Sequence, residues 1–240
     1  EQRRIRRPAR QAAHGARRVS ETRTLPLFPL GTVLFPGGPL TLRIFEPRYV
    51  DMVRRCMRDL TGFGVVLLVQ GREAGEAAIA TAAIGTEAKI VDFYQLDDGL
   101  LGLTCIGQQR FRLHRAWRQE DGLNLGEVED LPADAARAIP EDCAHLPPLL
   151  QQLFPQLGDP YSFVEPQWHD SGWVANRIAE IAPLDAETRQ ALMQMDDPLA
   201  RLRELAPLVR EGATDDADDD GDEDEDDEPD GADRGPPGRH

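Results

Sequence analysis

The chain has 240 residues, 40% of them hydrophobic, which is enough for one compact domain with a helical extension. Its formal net charge of −16 is uneven: residues 1–24 hold eight Arg against two Glu, and residues 211–240 hold fifteen acidic residues against two Arg. The body between them carries −9. Because an acidic body repels the phosphate backbone, it is not expected to bind nucleic acid, and only the basic arm could contact phosphate.

The cysteine content and the lack of long apolar segments indicate the cellular compartment of the protein. Cys56, Cys105 and Cys143 are odd in number and far apart, which argues against a disulfide framework. No apolar run approaches the roughly 20 residues that cross a bilayer, and no apolar signal core follows the amino-terminal arginines. We therefore predict a cytoplasmic protein with no membrane partner.

Both ends are predicted to be disordered. Residues 1–22 lack periodic apolar residues, and residues 212–240 are acidic and of low complexity, so neither end can offset its chain entropy by burial. The basic arm is interpreted as a solvated extension, with nonspecific anion contact or a targeting or partner-binding element as alternatives. The acidic tail is interpreted as solubilising, with a weak divalent-ion or basic-partner contact as the alternative.

The structured part begins in residues 25–49, where five prolines interrupt the apolar residues and exclude a long helix. Extended chain with tight turns is expected, because three glycines supply positive φ angles. Residues 40–44 then alternate apolar and polar side chains, as a half-buried strand does.

A helix over residues 48–60 can start at Pro47, since its apolar residues recur every three or four positions. The apolar run 63–69 predicts a buried strand, the polar segment 70–76 a turn, and residues 79–94 another strand. The inward positions of that strand are expected to be Ile84, Ala88, Ile90 and Phe93.

The next strands follow a hairpin signal. Asp98-Gly99 predicts a type I′ turn leading into a strand over residues 100–106. Gly107 marks either another turn or a β-bulge, and strands near 111–117 and 123–128 can complete the sheet.

The composition shifts near residue 132, and the rest of the chain is predicted to be helical and irregular. Prolines interrupt a helical pattern in residues 141–157, and residues 158–170 are too rich in Pro and Asp for regular structure.

Three clearer helices are predicted at the end of the folded part. The first is capped by Ser171 and ended by Pro183, the second opens at Asp185, and the third starts at Asp197-Pro198. The apolar stripe of the third helix is expected to be Leu199, Leu202, Leu205 and Leu208.

Several segments together carry a family resemblance. They are LPLFPLGTVLFPG and LRIFEPRYVDMV near the start, FGVVLL at 63–68, GTEAKIVDF at 85–93, DGLLGLTCIGQQRFRL at 98–113 and DDPLARLREL at 196–205. In this order and spacing, residues 24–209 resemble the amino-terminal, substrate-binding domain of Lon proteases in its stand-alone bacterial form. The resemblance implies an α+β fold without chemistry of its own. A PUA-like antiparallel β-barrel would span residues 23–131, and a small helical subdomain would span residues 132–211.

The sequence contains no recognisable arrangement of catalytic groups. Full-length Lon proteases carry an ATPase module and a Ser-Lys dyad, whereas this sequence has no Walker motif and a single lysine, Lys89, inside a predicted strand. The histidines lack metal-ligand spacing, and Cys143-Ala144-His145 is too little for a zinc site. We predict that the protein is not an enzyme and has no catalytic residues, no metal and no cofactor.

The segment RIFEPRY at 43–49 combines charged and aromatic side chains. One interpretation is structural: Glu46 pairs with Arg43 or Arg48 and satisfies turn amides, which locks the corner between strand and helix.

The second interpretation of the same region is functional. Phe35, Phe45 and Tyr49 would line a groove for an extended peptide, because aromatic and Pro-rich surfaces suit that task. An exposed sheet edge could add strand pairing to this groove.

The resemblance predicts a non-catalytic polypeptide-binding module. It would recognise unfolded or damaged polypeptide segments, or act as an adaptor or regulator near a protease. The alternative is a small-molecule or RNA binding module built on the PUA-like barrel. An exposed apolar groove would favour the first function, and a basic patch on the folded body would favour RNA. The sequence does not indicate an oligomeric state.

Overall fold

The computed structural model describes residues 21–69 and 80–215. Within them lie six strands and five α-helices. The strands are β1 Thr22–Leu30, β2 Pro39–Ile44, β3 Phe63–Leu67, β4 Ile84–Gln95, β5 Leu101–Arg118 and β6 Asn124–Asp130. The helices are α1 Pro47–Asp59, α2 Leu146–Leu153, α3 Ser171–Ile181, α4 Ala186–Gln194 and α5 Pro198–Asp215. The α+β class predicted from the resemblance is confirmed.

The strands close into a barrel because β5 is long enough to pair three times. Its first half lies between β2 and β4, and its second half pairs with β6. The sheet order is β2-β5-β4-β3-β1-β6, and the additional pairing of β5 with β6 joins the ends. β2 stays outside this ring as an extra strand on β5.

The barrel is mixed, whereas a purely antiparallel one was expected. β1 pairs with β3 in parallel and with β6 antiparallel. Two prolines within β1 are tolerated because each lies where only one neighbour pairs: Pro26 is opposite β6, and Pro29 is opposite β3. Periodicity reports which residues of a strand are buried, but it does not report the direction of its neighbours.

The two hairpins that flank β5 use the same turn, which is not the predicted type I′. In the first, the Gly99 N–H donates to Leu96 O and the Leu96 N–H donates to Leu100 O, both at 2.8 Å. Only Gly99 has a positive φ, of 83°, so the loop is a type I turn followed by a left-handed glycine. Gly122 repeats this geometry with a φ of 83°.

Gly107 is a point of close backbone approach inside β5. The strand runs through it without a turn, and the register with β4 shifts between Thr86 and Ala88, so the bulge alternative holds. The Gly37 N–H donates to Gly107 O at 2.7 Å, and the Gly107 N–H donates to Gly38 O at 2.8 Å. A Cβ at Gly107 would lie 2.1 Å from Phe35 O, so only glycine fits.

Helix α1 packs its buried face against the strands of the barrel. It begins at Pro47, and its buried residues are Tyr49, Met52, Val53 and Cys56. These pack into a cluster with Phe28, Ile44, Phe63 and Leu103 of the strands.

The inward positions predicted for β4 are only partly correct. Ile84 and Ala88 are buried and Ile90 is half-buried. Phe93 is 56% exposed, because it lies beyond the segment paired with β3.

The helices after residue 132 differ from prediction at two positions. The cap of α3 is Asp170, whose carboxylate accepts from the Trp173 N–H at 2.8 Å, and Ser171 is already the first helical residue. Asp185 caps α4 as predicted, accepting from the Thr188 N–H at 2.7 Å. In α5 Leu202 and Leu205 are buried, but Leu208 is exposed, because Ala206 is the residue that turns toward the core there.

The helices and the barrel share one core. The cluster contains Val33, Phe35, Leu67 and Ile84 of the β-part together with Cys143, Leu146, Trp173, Val174, Ile178, Leu192, Leu202 and Leu205. Buried ion pairs cross the same boundary: Arg110 of β5 and Arg201 of α5 both contact Asp134, at 3.2 and 2.7 Å. The helical residues are therefore part of the folded unit of the barrel.

Some predictions fall at or beyond the edges of the described residues. The arm was predicted to extend to residue 22, but β1 starts at Thr22. The tail was predicted to start at residue 212, but α5 continues to Asp215. The rest of both ends and the turn predicted at 70–76 lie outside the described residues. No helix in the described part of the chain is long and apolar enough to cross a membrane.

The three thiols give a first testable prediction. All are buried and none forms a disulfide, and burial raises the pKa of the Cys105 thiol to about 12. Because the folded state holds this proton more tightly than the unfolded chain, Cys105 supports folding below its usual pKa of 9.0 and less so as the pH rises toward 12. At mildly alkaline pH, iodoacetamide should label the native protein far more slowly than the guanidinium-unfolded chain, as measured by mass spectrometry. Equally fast labelling would contradict the burial of the thiols.

Candidate binding groove

A groove of about 460 Å³ lies between β2 and the adjoining ends of β1 and β3. The start of α1 closes one side of it. Its walls are formed by Phe28, Pro29, Leu30, Thr41, Leu42, Arg43, Ile44, Phe45, Glu46, Arg48, Tyr49 and Leu68. Most of these side chains are apolar or aromatic, which is the composition of a site for apolar ligands.

Aromatic rings form the floor and one rim of the groove. Phe28 and Tyr49 stack at a centroid distance of 4.1 Å, and both are buried. Phe45 is 67% exposed, and Leu68 on the other side is 37% exposed. A large exposed aromatic side chain next to a stacked pair offers apolar contact area without a partner among the described residues.

Two of the three predicted peptide-binding residues therefore lie together. Phe45 and Tyr49 both line the groove. Phe35 does not: its exposed fraction is 0%, and it packs in the core shared by the barrel and the helices. The prediction that Phe35 contacts a peptide is wrong, because the Gly37, Gly38 and Gly107 backbone pairing turns its side chain inward.

The predicted corner residues form two separate ion pairs. Glu46 contacts Arg48 at 2.6 Å, whereas Arg43 pairs with Asp98 of the hairpin turn. The Glu46 side chain does not cap the helix; its backbone carbonyl accepts from the N–H of Tyr49 at 3.0 Å instead. The interpretation that Glu46 pairs with one arginine holds, with Arg48 as that arginine, and the interpretation that it satisfies turn amides is wrong.

Arg48 ties the groove to the β5–β6 hairpin. Its guanidinium donates to Gly122 O at 2.9 Å and lies 4.7 Å from the Tyr49 ring centroid. Burial raises the pKa of Tyr49, so its phenol stays neutral. Each charged side chain of the groove is thus neutralised by a neighbour, and the groove presents no unpaired charge from Arg43, Glu46 or Arg48 to a ligand.

The groove includes residues that sequence reasoning missed. Phe28, Leu30 and Leu68 come from β1 and the end of β3, which meet β2 only through barrel closure. The apolar pattern of residues 25–30 indicated burial, but it contains no signal for the pairing that brings these residues beside β2.

A second apolar surface lies at the other end of α1. It is a groove of about 210 Å³ that includes Met57, Leu60, Val91 and Phe93. Leu60 ends α1 with a φ of 53°, the left-handed conformation that non-glycine residues rarely adopt. This surface is separate from the first groove and supplies matched exposed residues for comparison.

Two solved structures are similar to this chain over most of its length. The Lon N-terminal domain protein from Xanthomonas campestris is 37% identical, with a TM-score of 0.64 over 76% of this chain and 96% of that chain. The N-terminal domain of the Lon protease of the Mycobacterium avium complex is 15% identical, with a TM-score of 0.51 over 78% and 98%, and shows the same fold.

Curated relatives match a smaller share of their own length. Lon protease 2 of Myxococcus xanthus is 25% identical over 191 residues, which is 77% of this chain and 23% of the relative. Protein cereblon of Danio rerio is 30% identical over 137 residues, 55% of this chain and 29% of the relative. The chain thus spans about a quarter of the length of these proteins.

A sequence model described as the ATP-dependent protease La (LON) substrate-binding domain matches residues 24–211. The chain belongs to the LON substrate-binding domain family.

Proposed function

We propose that the protein is a non-catalytic recognition module that binds apolar segments of unfolded or damaged polypeptides in the groove between β2, β1 and α1. The observation that carries this proposal is the exposed Phe45 beside the stacked pair of Phe28 and Tyr49. The family description names substrate binding, which supports the same role. A phosphate backbone would find no unpaired cation there, because Arg43 and Arg48 are paired.

The test is a binding measurement with two exposed phenylalanines. A fluorescent, permanently unfolded polypeptide is titrated with the full chain and followed by anisotropy. Phe45→Ser should weaken binding by about tenfold or more, because truncating an aromatic residue that anchors a ligand typically costs about 2 kcal/mol. Phe93→Ser, at a similarly exposed position outside the groove, should leave the affinity within about twofold of the parent.

Three results would reject the groove as the binding site or the proposed function itself. Equal losses in the two variants would mean that the groove is not the site. Absence of saturable polypeptide binding would reject the function. Single-stranded RNA binding that Phe45→Ser abolishes would favour the alternative PUA-like RNA function.

We further propose that this module works near a protease in the cytoplasm. Similarity to Lon proteases supports the partnership, and three buried cysteines without a disulfide suit a reducing compartment. Co-purification of a protease with the full chain from the source cells, and its loss with Phe45→Ser or an acidic-tail deletion, would show which part of the chain makes the contact. Recovery of the chain without any protease would argue against the partnership.

A further inference from the structure

We propose that the groove takes its polypeptide as an added β-strand on the free edge of β2, and that it selects an uncharged segment in which every second residue is apolar. This inference rests on the proposed function and specifies the ligand of the same site.

The part of β2 that lines the groove carries no described strand on its second edge, although residues 159–163 also lie close to β2. β2 pairs with β5 on one side in an uninterrupted register from Pro39 to Ile44, and no other described strand pairs with its second side. Four consecutive residues from Thr41 to Ile44 line the groove. Consecutive residues of a strand point to opposite faces, so a groove that contacts all of them must run along the edge. The outward backbone N–H and C=O groups within Thr41–Ile44 therefore face the groove.

In contrast, the unpaired edge of β4 is protected against the addition of a further strand. Beyond Ala88, the edge of β4 is not paired with β3. There the register with β5 slips at Val91, and the Asp92 carboxylate accepts from the Phe93 N–H at 2.9 Å. A bulge and a charged side chain over an outward N–H are two of the devices by which proteins prevent edge pairing. β2 has no bulge, its exposed Arg43 is paired with Asp98 of the hairpin turn, and its proline is at the first position, where it removes one donor only.

The lining of the groove defines the side chains of the ligand. An added strand sends alternate side chains toward Phe28, Tyr49 and Leu68, which form an apolar surface. The charged groups beside it are already paired, Arg43 with Asp98 and Glu46 with Arg48, so a charged ligand side chain would lose hydration without gaining an unpaired charge as partner. The edge from Thr41 to Ile44 matches about four ligand residues, about two of which send their side chains into the groove.

Backbone methylation of the ligand tests the pairing itself. The probe is a short labelled peptide of alternating Leu and Thr, in two versions N-methylated either at every Leu or at every Thr. In an added strand only alternate N–H groups bond to the neighbour, so one version should bind full-length protein about tenfold or more weakly and the other within about twofold. N-methylation keeps the peptide extended and leaves its side chains unchanged, which makes the two versions matched controls.

The outcomes separate this inference from the function on which it rests. If both methylated versions bind like the parent, or both are weakened equally, strand addition is overturned while polypeptide binding stands. If the unfolded polypeptide binds but the alternating peptide does not, the alternating pattern is overturned. If neither the unfolded polypeptide nor the alternating peptide binds, the proposed function is rejected, and this inference is rejected with it.

Hydrogen exchange gives an independent readout on the protein. Saturating peptide should slow exchange of β2 amides and leave the β4 amides from Lys89 to Gln95 unchanged. If β2 amides are protected without peptide and light scattering reports a dimer, a second copy occupies the edge and the inference is overturned.

Discussion

Replacing Phe35 with alanine is expected to lower the free energy of unfolding by about 3–5 kcal/mol, the usual cost of emptying a fully buried phenylalanine site. Phe35 has no exposed surface and packs among residues of both the barrel and the helices. Its loop is fixed by the Gly37–Gly107 hydrogen bonds, so the cavity cannot collapse easily. Urea unfolding followed by circular dichroism measures the change.

Phe45→Ala is the matched control for Phe35→Ala. Phe45 is 67% exposed, so its loss should change stability little while weakening polypeptide binding. Phe35→Ala should lower stability but leave polypeptide affinity within about twofold of the parent under conditions in which the variant is folded. The separation of core and groove would be refuted if Phe35→Ala were as stable as the parent or if it alone abolished binding.

Replacing Arg177 with methionine should destabilise the protein by about 3–5 kcal/mol, because it leaves a buried carboxylate without its partner. Arg177 is fully buried, contacts Glu180 at 2.5 Å and donates to Pro36 O at 3.0 Å. Tyr161 supplies the remaining hydrogen bond to Glu180, at 3.2 Å. The pair therefore connects α3 to the turn that follows Phe35.

The pH dependence of this variant is a second readout. Burial raises the pKa of Glu180 even beside Arg177, and the rise is expected to be larger without the arginine. A carboxyl whose pKa is higher in the folded state favours folding at low pH and loses that contribution as the pH rises through the folded pKa. The destabilisation by Arg177→Met should thus be smaller near about pH 5 than at neutral pH.

Arg203→Met serves as the control for Arg177→Met. Arg203 contacts Asp142 at 2.9 Å on the surface, where solvent screens the pair, so no resolvable change is expected. Chemical denaturation at two pH values compares the variants. If Arg177→Met is as mild as Arg203→Met, or if its effect grows at low pH, Glu180 is not a buried ionised group.

Local chemistry allowed several elements to be predicted. Pro47 at the first turn and the apolar spacing after it indicated α1, and Asp185 was correctly placed at the start of α4. The Asp98-Gly99 pair correctly predicted the position of the turn between β4 and β5, although the turn type differs. These features depend on residues within one turn of each other, which is why sequence alone was sufficient.

Long-range pairing explains the errors. Phe35 and Phe45 have similar local surroundings, each near a proline, yet one is in the core and the other is exposed. The difference is made by Gly107, more than 60 residues away, and by Arg177, 141 residues from Pro36. The same reason applies to the parallel neighbour of β1 and to the groove residues Phe28 and Leu68.

The core shared by barrel and helices has a consequence for how the chain can be divided. A fragment ending near residue 131 would expose Val33, Phe35, Leu67 and Ile84 to water and leave the Pro36 carbonyl without Arg177. We expect such a fragment to aggregate, and the intact protein to melt in one cooperative transition. The predicted boundary at residue 131 would then separate two stretches of sequence but not two independently folding units. We expect that the barrel and the helices can be transplanted into another protein only together.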